Sequence, residues 1–200
     1  MELFLIRHGQ SIANTVSHDM ADGELTELGR AQAEQVRAGM RGAGVTHIVS
    51  SPLMRAIETA QPLALETGLP ISVWLETYEV RRKGPYRGPT EAELIRMYPQ
   101  IRFADPVEPE GWYCSGDETE EAAHQRAQII LRRIRDAYPG DERVALFSHS
   151  GFNRQLLFAA LGIDAGSAVK FVQRNGMMCW LSFSDDGVDV RYFGDFGSVF

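Results

Sequence analysis

Short apolar runs alternate along the chain with stretches in which apolar positions recur every three or four residues. The first pattern marks buried strands and the second marks amphipathic helices. Leu3 to Ile6, His47 to Ser50, Ile71 to Leu75 and Val144 to Phe147 are predicted strands. Helices are predicted after Thr26, from about Leu53 to Glu66, and from Thr90 to Tyr98, Thr119 to Tyr138 and Phe152 to Leu161. Thr26 suits a helix N-cap, and Gly68, Pro99 and Pro139-Gly140 suit helix stops. Met177 to Phe183 and Val188 to Phe193 flank Asp185-Asp186-Gly187, which predicts a hairpin. The Pro-, Gly- and Asp-rich segment from about Gln100 to Gly116 reads as a loop. Strands alternating with helices predict an α/β domain, and 200 residues suit one such domain.

Two of the strands end in the same way. Leu3 to Ile6 runs into Arg7-His8-Gly9, and Val144 to Phe147 runs into Ser148-His149-Ser150-Gly151. Open α/β sheets bind ligands beyond the carboxyl ends of their strands, so both histidines fall where this architecture places chemistry. A histidine attacks phosphorus well when one ring nitrogen is free and a hydrogen bond fixes the proton on the other. Gly9 permits a tight turn with backbone N–H groups close to a phosphate, and Arg7 offers a planar fork to its oxygens. Ser11 and Asn14 can add neutral hydrogen bonds. Arg55, just inside a helix start, and Ser150 beside His149 extend the phosphate-binding set. Taken singly, each motif also fits a plain structural role: a strand-end or core histidine, or a solvated helix arginine.

Composition narrows the options. The formal net charge of -7 disfavours nucleic acid and anionic membrane surfaces as partners, while a few clustered arginines can still hold an anionic substrate. Cys114 and Cys179 are far apart and suit reduced thiols. The N-terminal apolar run is too short for a secretory signal, so a cytoplasmic protein is expected. The five histidines show no metal-ligand spacing, and neither a phosphate-loop nor a dinucleotide fingerprint is present. Neither Ser148 nor Ser150 has the flanking glycines of a serine-hydrolase elbow.

Together the segments resemble the histidine phosphatase superfamily, also called the phosphoglycerate mutase-like family. The resemblance rests on Arg7-His8-Gly9 with Asn14, Leu25-Thr26-Glu27-Leu28-Gly29 with Gln32-Ala33, Ser51-Pro52 with Arg55-Ala56 and Thr59-Ala60, and Ser148-His149-Ser150-Gly151 with Arg154. It implies a three-layer α/β/α domain over residues 1–200 with a mostly parallel sheet. A mid-chain region from about 76 to 116 would cover the substrate. It implies His8 as nucleophile, Arg7, Arg55 and His149 as the phosphate pocket, and no metal or cofactor. Glu79, with Glu76 second, is the expected general acid. The implied activity is that of a histidine acid-type phosphatase acting on a small phosphomonoester. A phosphoglycerate mutase is the alternative within the family, and a catalytically silent phosphate-binding module is the alternative outside it.

The mid-chain segment departs from the commonest family pattern, because Arg81, Arg82, Lys83 and Arg87 crowd it. Either these form a basic lid that prefers a second anionic group on the substrate, with Arg82 as its contact, or they form a solvated turn that balances nearby acids. Phe193, Phe196 and Phe200 suit either internal packing or a homo-oligomer interface.

Overall fold

Glu2–Arg7 form β1, near the middle of the sheet. Phe4 and Ile6 enter one apolar cluster and Leu3 and Leu5 enter another, so the strand is covered on both faces. A strand in that position requires an unbroken apolar run, and Leu3-Phe4-Leu5-Ile6 supplies one. The computed structural model describes residues 1–196.

Further strands are β2 (His47–Ser50), β3 (Ile71–Val73), β4 (Tyr86–Arg87), β5 (Ile101–Phe103), β6 (Tyr113–Cys114), β7 (Arg143–Ser148), β8 (Met178–Ser184) and β9 (Gly187–Gly194). The main sheet has the order β5-β3-β2-β7-β1-β8-β9. Its five strands from β5 to β1 are parallel, and β8 and β9 add an antiparallel hairpin. The helices are α1 (Glu27–Gly39), α2 (Met54–Thr67), α3 (Glu91–Met97), α4 (Glu120–Ala137) and α5 (Ser150–Leu161). Val36 of α1 and Ile57 of α2 pack with Phe4 and Ile6. Ala127 and Ile130 of α4 and Leu156 of α5 pack with Leu3 and Leu5. The result is a three-layer α/β/α domain with a mostly parallel sheet.

Helix ends follow the expected chemistry. Thr26 Oγ1 accepts from Gly29 N, Thr119 accepts from Ala122 N, and Gly68 closes α2 in the left-handed region at φ 73°. The expected strand from Ile71 to Leu75 stops at Val73, and a single tight helical turn follows at Leu75–Thr77. The segment from Gln100 to Gly116, expected to be a loop, contains β5, which pairs in parallel with β3 at the sheet edge. Only three residues pair there, too few for alternation to stand out among prolines and acids. Leu94 and Ile101 are core residues, so only parts of the stretch from 76 to 116 face the site. The small β4–β6 ladder carries Tyr86 and Cys114 to the cavity wall.

Phe193 packs against the Leu3 cluster and Phe196 against the Phe4 cluster, while Phe200 lies outside the described residues. Both cysteines are buried free thiols. Among the described residues, no helix is long and apolar enough to cross a membrane.

Candidate active site

β1 and β7 lie side by side in parallel, with Arg7 opposite Ser148. The next residue on each strand is a histidine, so the register alone brings His8 and His149 together. Their ring centroids are 5.1 Å apart, and both side chains are buried. The chain after His8 lies flush on the first turn of α1: a Cβ on Gly29 would stand 1.9 Å from the Gln10 carbonyl oxygen. Gly9 N also donates to Thr59 Oγ1 on α2 at 3.0 Å. These contacts fix where the imidazole of His8 emerges.

The hydrogen bonds define the tautomer of His8. Its Nδ1 is 2.6 Å from the Gly9 carbonyl oxygen, which can only accept, so Nδ1 carries the proton. Nε2 is left with a lone pair, and Arg55 Nε donates to it at 3.2 Å. Burial, followed by the charge of Arg55, holds the His8 pKa well below 6.5, although the Gly9 carbonyl pulls the other way. His149 is also held well below 6.5, first by burial and then by Arg55. Its Nε2 lies 2.8 Å from Ser51 Oγ. Near pH 7 both rings are neutral, and His8 has the form a nucleophile needs.

Two guanidinium groups flank the rings. Arg55, in the first turn of α2, is anchored by Asp22 Oδ1 at 3.2 Å and the Ala21 carbonyl at 3.1 Å. Arg7 donates through Nη1 to the Gln173 carbonyl at 2.7 Å. Its buried Nε, like Nδ1 of His149, has no partner among the described residues. Burial lowers both arginine pKa values from 12.5, and Asp22 opposes this at Arg55. Two fixed cations beside an uncharged imidazole make a pocket suited to a phosphate dianion.

Glu79 lines the same cavity as Arg55. Its carboxylate accepts from Val80 N at 2.8 Å, Phe152 N at 2.9 Å and Gly151 N at 3.2 Å, so it sits on the N-terminus of α5. Gly151 makes the approach possible, because a Cβ there would lie 2.6 Å from Glu79 Oε1. Glu76 is exposed and does not line that cavity. Behind the segment from 76 to 78 lies the largely buried Arg126. It donates to the carbonyls of Glu76 and Tyr78, pairs with Glu118 at 2.7 Å, and is sandwiched between the rings of Tyr78 and Phe152 at 3.9 and 4.2 Å.

The remaining expected residues take varied positions. Asn14 Oδ1 accepts from Ser11 N and Oγ and from Asn175, which also donates to the His8 carbonyl at 3.0 Å. Ser150 Oγ donates to the Gln173 carbonyl at 3.4 Å. Arg82 is at the outer lip, exposed and paired with Glu120. Asp22, Gln173, Asn175 and Arg126 escaped the sequence reading. Each is a common polar residue in a loop or helix and has no motif of its own; only the fold reveals what it touches.

The family model of the histidine phosphatase superfamily (branch 1) matches residues 3–195. The chain belongs to this superfamily. Phosphoglycerate mutase-like protein 4 of Arabidopsis thaliana is 26% identical over 202 residues, spanning 97% of this chain and 85% of that protein. Glucosyl-3-phosphoglycerate phosphatase of Mycolicibacterium vanbaalenii is 29% identical over 169 residues, spanning 80% of this chain and 74% of that protein. A solved mycobacterial glucosyl-3-phosphoglycerate phosphatase in complex with VO3 superposes with a TM-score of 0.72 over 97% of this chain and 99% of that chain. At 24% identity, that likeness bears on the fold alone.

Proposed function

We propose that this histidine phosphatase family member hydrolyses a small phosphomonoester through a phosphohistidine on His8, without a metal ion. The observation that carries the reading is the bond from His8 Nδ1–H to the Gly9 carbonyl, which leaves the Nε2 lone pair among Arg7, Arg55 and His149. In the first step Nε2 attacks phosphorus, the bond from phosphorus to the ester oxygen breaks, and Glu79, in its carboxylic acid form, gives that oxygen its proton and becomes the carboxylate. In the second step a water gives its proton to Glu79 and attacks phosphorus; the P–N bond breaks and phosphate leaves. Arg7, Arg55 and His149 stabilise charge on the equatorial oxygens, the main protein contribution in phosphoryl transfer. Ser11, Asn14 and Ser150 supply or orient neutral hydrogen bonds at the rim. The buried free cysteines suit a reducing, cytoplasmic setting.

The test is phosphate release from para-nitrophenyl phosphate in excess chelator, comparing wild type with His8→Ala. Release by wild type alone is expected. Equal release by both proteins would remove His8 from the mechanism. Release by neither, together with phosphoglycerate isomerisation by wild type, would favour the mutase alternative.

A further inference from the structure

A cavity of about 290 Å³ opens in front of Arg55 and Glu79. Its walls hold the rings of Tyr78, Tyr86 and Trp112 and the apolar side chains of Met20 and Leu53. Trp112 is 1% exposed and is clamped from behind, since a Cβ on Gly88 would fall 2.0 Å from its Nε1. Tyr78 stacks on it at 6.4 Å between centroids, and Tyr86 meets it edge-on at 5.3 Å. The three rings brace one another, so an apolar surface is ready before a ligand arrives, which lowers the ordering cost of binding.

The cations around this cavity are already engaged. Asp19 pairs with Arg81 at 3.2 Å and with Lys83 at 3.6 Å, and Arg81 Nε also donates to the Gly84 carbonyl. Glu120 takes both Arg82 and Arg154, the latter at 2.8 Å. Arg87 pairs with Glu108 at 3.1 Å. The lip stays mildly positive, because three acids serve five cations, and that field draws a phosphate in. Every guanidinium fork at the lip has a protein partner, however, and Arg55 beside His8 is taken up with the reacting phosphate.

We propose that the phosphomonoester recognised here has an uncharged leaving alcohol bearing an aromatic or similarly flat apolar group. That group rests against Tyr78 and Tyr86, with Trp112 buried behind them, and Glu120 competes with a second anionic group for Arg82 and Arg154. The inference rests on the reading of the His8 pocket as a phosphomonoester site.

Binding of two non-hydrolysable ligands, phenethylphosphonate and phosphonopropionate, tests this by titration calorimetry independently of turnover. They share a phosphonate and differ in carrying a phenyl or a carboxylate group. Wild type is expected to bind the phenyl ligand at least about tenfold more tightly, as burial of a ring implies. Tyr86→Ser should cut that preference several-fold while Tyr86→Phe keeps it, and Glu120→Gln should tighten the carboxylate ligand selectively. Equal or tighter wild-type binding of phosphonopropionate overturns the proposal, whether or not the Tyr86 variants fold. A preference unchanged in Tyr86→Ser also overturns it. If neither ligand binds while His8-dependent phosphate release persists, the proposal alone fails. If that release is absent too, the phosphatase reading fails with it.

Discussion

A single hydrogen atom is the difference between Glu79 meeting α5 and being pushed away from it. Gly151 has no Cβ, and a Cβ there would lie 2.6 Å from Glu79 Oε1. Gly151→Ala should leave the fold nearly intact, because the atom in the way is the end of a flexible side chain. The carboxylate must shift, however, and the general acid role proposed for it depends on its placement within hydrogen-bond reach. A fall in kcat of about tenfold to a hundredfold is expected with an unchanged melting temperature, as part of the ~10²–10⁴ that a general acid supplies. An unchanged kcat would mean that this position of Glu79 does not matter to turnover. At this scale the sequence was informative where chemistry coincided with a strand end, as at His8 and His149. It was silent on Asp22, because a carboxylate in Met20-Ala21-Asp22-Gly23 looks like any loop acid until Arg55 is placed against it.

At the scale of elements, Arg126 ties α4 to the turn before Glu79 and to the first turn of α5. Its side chain and that of Glu118 are only 9% and 10% exposed. Arg126→Met should cost about 3–5 kcal/mol, because Glu118 is left as a buried charge without its partner. For a chain of this length that corresponds to a loss of roughly 10 °C in melting temperature. The double change Arg126→Met with Glu118→Leu should recover part of the loss, which thermal melts of the single and double variants would show. No recovery would mean that the carbonyl bonds and ring contacts outweigh the ion pair. The helices and central strands were legible because each is a sustained apolar pattern with an identifiable cap or stop. β5 was not, since its three residues sit at an edge between polar segments and its only fully buried side chain is Ile101. The basic run from Arg81 to Lys83 was legible as charge, but its partners Asp19 and Glu120 come from distant elements.

For the whole molecule, the two buried histidines set a direction for acid sensitivity. Their folded pKa values lie well below 6.5, so an unfolded chain takes up protons near 6.5 that the folded chain refuses. The unfolded state therefore binds more protons in the window below 6.5. Stability is complete above that value and is lost as the pH falls toward the lowered folded values, at ~1.4 kcal/mol per pH unit for each ring. Asp22, whose pKa burial raises from 3.8 against the pull of Arg55, acts with the opposite sign nearer the acid end. Urea midpoints should be level from about pH 8 to 7 and drop clearly by about pH 5.5, with a shallower drop in His149→Asn. A flat profile in wild type would mean that the rings accept protons in the folded state.

The pairing of Arg7 with Ser148 has a consequence for how the protein comes into being. His8 is synthesised well before His149, which lies far downstream in the sequence. Neither ring can join the other until β7 has slotted between β1 and β2, which are themselves not neighbours. Such long-range parallel pairing is slow, because the entropy of closing the loop is spent before the contacts form. A nascent or truncated chain therefore has no half-strength version of the pocket. On the proposed function, phosphate binds only the finished arrangement and is expected to act as a late fastener on the sheet and not as a seed for it.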